Sequence, residues 1–95
     1  MFVVILKFSG NKGKAGEFRA GHNAWISQGF DDDVFLLAGI LQPGLGGSVF
    51  AHNTSLSELE ARVDNDPFVA EDIVSAEILE IEPKKVDERL SFLLS

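Results

Sequence analysis

An α+β fold with the element order β-α-β-β-α-β is predicted by three observations. A β-branched and aromatic run opens the chain, a glycine-rich turn joins two further strand-like runs in its middle, and two stretches with apolar residues at helical spacing separate the strands. At 95 residues, with no internal repeat, linker or low-complexity stretch, the chain builds one small core.

Residues 2–8 form the first strand, with Phe2, Val4, Leu6 and Phe8 on one face and Val3, Ile5 and Lys7 on the other. Ser9-Gly10-Asn11-Lys12-Gly13 turns the chain, and a helix follows to about Gln28, where Gly29 supplies the stop. Asp31-Asp32-Asp33 reads as a solvated acidic loop, because three consecutive carboxylates cannot converge on one ion without other ligands. Val34–Leu41 and Ser48–His52 are strands paired as a hairpin through Gln42-Pro43-Gly44-Leu45-Gly46-Gly47. Hairpin geometry explains these glycines better than phosphate binding does, since the turn lacks a Lys-Ser/Thr ending and opens no helix. Ser55-Leu56-Ser57-Glu58 has the form of a capping box and starts a helix over 55–64, carried by Leu59 and Val63. After an Asp66-Pro67-Phe68 turn, Ile73–Ile81 alternates as the last strand and Pro83 ends it. Val86, Leu90, Leu93 and Leu94 share a helical face, so the tail is expected to be a short helix covering part of a sheet.

This order is the ferredoxin-like arrangement, in which two helices cover one face of a four-stranded antiparallel sheet. Residues 1–82 form that domain and 83–95 a helical extension. The uncovered face would carry Val3, Ile5 and alternate residues of Val34–Ile40, an apolar surface that predicts a homodimer through the open sheet face.

Composition narrows the function. The chain is 45% hydrophobic and 24% charged, and no apolar run approaches the roughly 20 residues that span a bilayer, so no membrane role is expected. The opening strand has neither a basic leader nor a small-residue cleavage site, which places the protein in the cytoplasm. Without cysteine there is no thiolate chemistry and no cysteine metal site. A formal charge of −7 and scattered basic residues argue against nucleic acid, although an anionic small molecule could meet Lys14 or Arg19 locally.

His22 is the residue that demands an explanation. Phe18, His22, Trp25 and Ile26 share one helical face, and burying an unpartnered imidazole there costs about 1–3 kcal/mol. Asp66 is the candidate partner. A carboxylate that accepts from one ring nitrogen fixes the tautomer and leaves the other nitrogen as a base, a role worth about 10²–10⁴-fold in rate. Arg19, one turn before His22, could meet an anionic group or a developing oxyanion. Bland readings stand beside these: Asp66 before Pro67 is a standard helix cap, and His22 a core histidine bonded to a backbone carbonyl. Trp25 and Phe68 read as packing that could also line a pocket. His52 precedes Asn53-Thr54 and reads as a loop or capping residue; nothing in the spacing supports a zinc site of His22, His52 and Asp66, so no metal is expected.

Arg19-Ala20-Gly21-His22, Leu37-Ala38-Gly39 and Asp66-Pro67-Phe68 occur together in this order, and over residues 1 to about 82 the chain resembles the YciI-like (YCII-related) family of small dimeric α+β barrel proteins. The resemblance implies a His-Asp pair in a pocket, here His22 and Asp66, with Arg19, Trp25, Gly39 and Phe68 as candidate substrate-binding positions. It also implies elimination or isomerisation chemistry on aromatic or cyclic hydroxylated compounds, without a cofactor. Ile40-Leu41-Gln42 stands where the family usually has a proline soon after Ala-Gly, a change at the pocket mouth, and the tail is longer. Two functions follow: a lyase or isomerase with His22 as base and Asp66 as its orienter, or a non-catalytic ligand-binding or accessory dimer in which the pair is structural.

Overall fold

The opening run is apolar on both faces, yet the strand it builds is fully buried on one face only. In the computed structural model, which describes residues 1–94, β1 (Phe2–Phe8) buries Phe2, Val4 and Leu6 and leaves Val3 and Ile5 half-buried. The remaining elements are α1 (Ala15–Asp31), β2 (Phe35–Leu41), β3 (Gly46–Ala51), α2 (Leu56–Asp64), a one-turn α3 (Pro67–Ala70) and β4 (Val74–Glu80). The strands form one antiparallel sheet in the order β2-β3-β1-β4, the ferredoxin-like topology.

Residues paired across the sheet share a face, so the register sorts the side chains. Phe2, Ala51 and Phe35 stand in one row and Val4, Val49 and Ala38 in the next, on the side that meets Leu59 and Val63 of α2 and Phe68 of α3. A bulge between Phe35 and Leu37 reverses the alternation of β2. Leu37, Gly39 and Leu41 therefore turn to the open face with Val3, Ile5, Phe50 and Leu79, whereas Ala38 and Ile40 stay on the helix side. No single alternating set over 34–40 faces one way, which corrects the simple alternation expected of that strand.

The end of α1 departs from expectation. The helix runs past Gly29 to Asp31, and Gly29 is there for packing: a Cβ on it would stand 2.1 Å from the Phe35 ring. The stop is made by Asp33, at φ 59, with Asp33 N–H bonded to Phe30 O and Val34 N–H to Gly29 O, the two bonds of a Schellman cap. The acidic run is thus the helix end itself, with Asp32 accepting from Gln28 and pairing with Arg62 at 3.0 Å.

At the hairpin, β3 begins earlier than expected, at Gly46, and ends at Ala51. Gly46 has φ 136 and lies so close to Leu6 O that a Cβ would stand 1.9 Å away, so only glycine fits. The capping box of α2 forms as expected, with Ser55 and Glu58 bonding reciprocally. The tail is not an α-helix. Glu88–Leu94 is 3₁₀ with Leu90 outside helical geometry and no buried residue, so no apolar stripe is covered to sustain an α-helix. It meets the domain where Phe92 lies edge-on to His52, centroids 5.5 Å apart; Ser95, the end of the expected extension, lies outside the described residues. No described helix is long and apolar enough to cross a membrane.

Candidate functional site

Helical spacing sets one wall of the site. Arg19, His22, Asn23 and Ile26, at i, i+3, i+4 and i+7 of α1, line a cavity of about 430 Å³ between that helix and the hairpin end of the sheet. Gly39, Gly44, Gly46 and Gly47 of the hairpin line the cavity as well, together with Phe68 and Val74.

Asp66 reaches His22 because two helices approach closely. Pro67 occupies the first position of α3 and Asp66 is its N-cap, accepting from Phe68 N–H at 3.0 Å. Gly21 packs on that proline; a Cβ there would stand 3.1 Å from Pro67 Cγ. The approach brings Nδ1 of His22 to 2.8 Å from Oδ1 of Asp66, so one carboxylate oxygen accepts both the helix cap and the imidazole N–H. The alternatives weighed from the sequence, cap or partner, coexist on a single atom.

The ring is held in plane as well as in tautomer. It lies flat on Phe68, centroids 4.0 Å apart and planes 3° from parallel. Asp66 is fully buried, and its Oδ2 has no hydrogen-bond partner among the described residues. Nε2 of His22 is bonded to none of the described residues and is not sealed from solvent, in a side chain 15% exposed. A neutral imidazole with Nδ1–H donating to a carboxylate presents Nε2 as a lone-pair acceptor. Such an arrangement can take a proton from a bound molecule and stabilise the resulting imidazolium.

The other expected site residues divide. Arg19, Gly39 and Phe68 line the cavity with His22. Trp25 does not. Its Nε1–H donates to Arg62 O at 2.8 Å and its ring meets Phe35 edge-on at 5.1 Å, so it fastens α1 to α2 and the sheet. His52 is occupied elsewhere, under Phe92 and 3.9 Å from Asp33 Oδ1, and no group of three or more His, Asp or Glu placed to hold a metal occurs among the described residues. Asn23 and Ser48 line the cavity too, as does Ile26 from the stripe that carries His22. The helical spacing carried the signal for Ile26, four residues after His22; nothing in the sequence marked Ser48.

No family model matches the chain, and no curated protein sequence matches it. The chemistry of the site is therefore read from its own geometry.

Proposed function

We propose that the chain is a cofactor-independent lyase or isomerase acting on a cyclic or aromatic hydroxylated compound, related to the YciI-like family and working as a homodimer. The observation that carries the reading is the 2.8 Å contact between His22 Nδ1 and Asp66 Oδ1 with the opposite ring nitrogen left free beside a cavity. Nε2 removes a proton from carbon or hydroxyl, and the electron pair of the broken bond stays on the substrate as an enolate or phenolate. The proton then returns at another carbon, giving isomerisation, or the electron pair expels an anionic leaving group, giving net loss of HX. Asp66 balances the imidazolium between the two steps. The volume of about 430 Å³ suits a single ring with small substituents. Leu37 and Leu79, each nearly half exposed on the uncovered sheet face with Val3, Ile5 and Phe50, support pairing of two copies there.

The second reading, a binding or accessory dimer, rests on one observation: Asp66 Oδ1 already caps α3, so its contact with His22 has a structural use without catalysis. Solvent exchange separates the two. A panel of hydroxylated cyclic compounds is incubated with the protein in D₂O and the loss of C–H signal followed by NMR. A base in this position accelerates exchange at a labile carbon, and His22→Ala slows it by about 10²–10⁴-fold. Exchange no faster than in buffer together with no product formed across the panel, or equal rates for His22→Ala, refutes the enzyme reading and leaves the structural one.

A further inference from the structure

The cavity beside His22 has a charge character opposite to that of the chain. The sequence carries 15 Asp and Glu against eight Lys and Arg, yet among the described residues no Asp or Glu lines the cavity. The one carboxylate nearby, Asp66, is fully buried with Oδ1 engaged by His22 and Phe68. Arg19 lines the cavity and differs from the other two arginines. Arg62 pairs with Asp32 at 3.0 Å and Arg89 with Asp87 at 2.9 Å, whereas Arg19 has no ion-pair partner among the described residues. A second cation stands close by, with Lys12 Nζ 4.9 Å from the centroid of the Phe8 ring, itself part of the wall. Asn23 and Ser48 add neutral polar groups to the wall, and Leu6, Ile26, Val49 and Val74 supply apolar surface.

We infer that this cavity takes a small molecule with an apolar body and one carboxylate, the carboxylate held by Arg19. A guanidinium presents a planar fork that matches a carboxylate with two parallel hydrogen bonds, and the low charge of the surroundings leaves that fork free. Arg19 and His22 stand one helical turn apart, with Cβ atoms roughly 5–6 Å from each other. A molecule gripped by Arg19 therefore places the carbon that bears its carboxylate within reach of Nε2. Removal of a proton from that carbon sends the electron pair of the broken C–H bond toward the carboxylate, where Arg19 balances the added charge, and His22 holds the proton. The reactive half of this inference rests on the base reading of His22; the binding half does not.

The test uses benzoate and cyclohexanecarboxylate as probes, with benzamide as the neutral match for benzoate and inorganic phosphate as a competing anion. Titrations are followed by calorimetry and by the imidazole resonances of His22. Both carboxylates bind and shift the His22 ring signals, and benzamide binds about tenfold or more weakly, as loss of a charged hydrogen-bond acceptor requires. Arg19→Met abolishes the preference and Arg19→Lys keeps part of it. Equal binding of benzamide and benzoate, full preference in Arg19→Met, phosphate binding as tightly as benzoate, or no detectable binding of either carboxylate overturns the inference. Carboxylate preference without D₂O exchange upholds the binding site and refutes the base; exchange on neutral compounds without carboxylate preference does the reverse.

Discussion

The imidazole of His22 and the benzyl ring of Phe68 are stacked face to face, 3° from parallel, and the backbone N–H of Phe68 shares Asp66 Oδ1 with His22 Nδ1. Phe68 thus fixes both the plane of the base and, through the cap, the atom that orients it. Replacing it by leucine keeps an apolar side chain and the backbone bond but removes the flat support and part of the volume. Phe68→Leu should cost about 1–3 kcal/mol in urea unfolding, as a partial cavity in a buried site does. The His22 ring signals should broaden or shift in the same variant while the fold's amide spectrum is retained. Unchanged ring signals would show that Asp66 alone holds the imidazole.

Asp66 does two tasks with one oxygen, and the two can be separated. Asparagine retains a carbonyl that accepts from Phe68 N–H and is about as good a cap, so Asp66→Asn should unfold within about 1 kcal/mol of the parent. Alanine removes the cap, worth about 0.5–2 kcal/mol, and strands the Nδ1–H of a ring that is mostly buried, so Asp66→Ala should lose roughly 2–4 kcal/mol. Equal stability of the two variants by urea unfolding would mean that the oxygen supports neither contact appreciably.

Gly29 provides an independent check on the packing of α1. In an exposed helix, glycine to alanine adds about 1 kcal/mol of stability. Here the added methyl would stand 2.1 Å from Phe35 Cδ2, inside a buried ring that cannot move freely. Gly29→Ala should therefore destabilise by about 1–3 kcal/mol, as overpacked cores do, and a second change, Phe35→Leu, should recover part of the loss. A stabilised single variant would contradict the close approach.

The same glycine shows where sequence reasoning stops. The order of elements was legible because β-branched runs, helical spacing and a glycine-rich turn are local signals, whereas β1, apolar on both faces, gave no sign of which face would be fully buried. Gly29 also looked local, a helix stop, but its cause is Phe35, brought in by the sheet, while the real stop is Asp33 in a left-handed conformation glycine usually fills. Trp25 and Ile26 sat on one stripe with His22, yet the stripe is wide enough that Ile26 faces the cavity and Trp25 faces Arg62. The setting of Asp66 before Pro67 made the helix cap legible, and the resemblance to the YciI-like family pointed to the pair with His22. That one oxygen serves cap and imidazole together was not legible, because it depends on how closely Gly21 lets two helices meet.

Acid sensitivity should begin at carboxylates remote from the cavity. The Ser55 hydroxyl and then the Ser55 backbone N–H hold the Glu58 carboxyl below its ordinary value of 4.5, and Gln28 followed by Arg62 hold Asp32 below 3.8. A carboxylate whose value is lower in the folded than in the unfolded chain contributes stability that is complete above the unfolded value and is lost as the pH falls through the folded one. The contribution of Glu58 should thus be level above its ordinary value of 4.5 and decline below it, as the unfolded chain takes up protons first. Glu58→Gln keeps a side chain able to accept from Ser55 but removes the titration, so its stability curve should be flatter over that acid range. Denaturant unfolding at stepped pH on parent and variant measures this directly. Parallel acid limbs in the two proteins would show that the capping carboxylate does not contribute to the pH dependence.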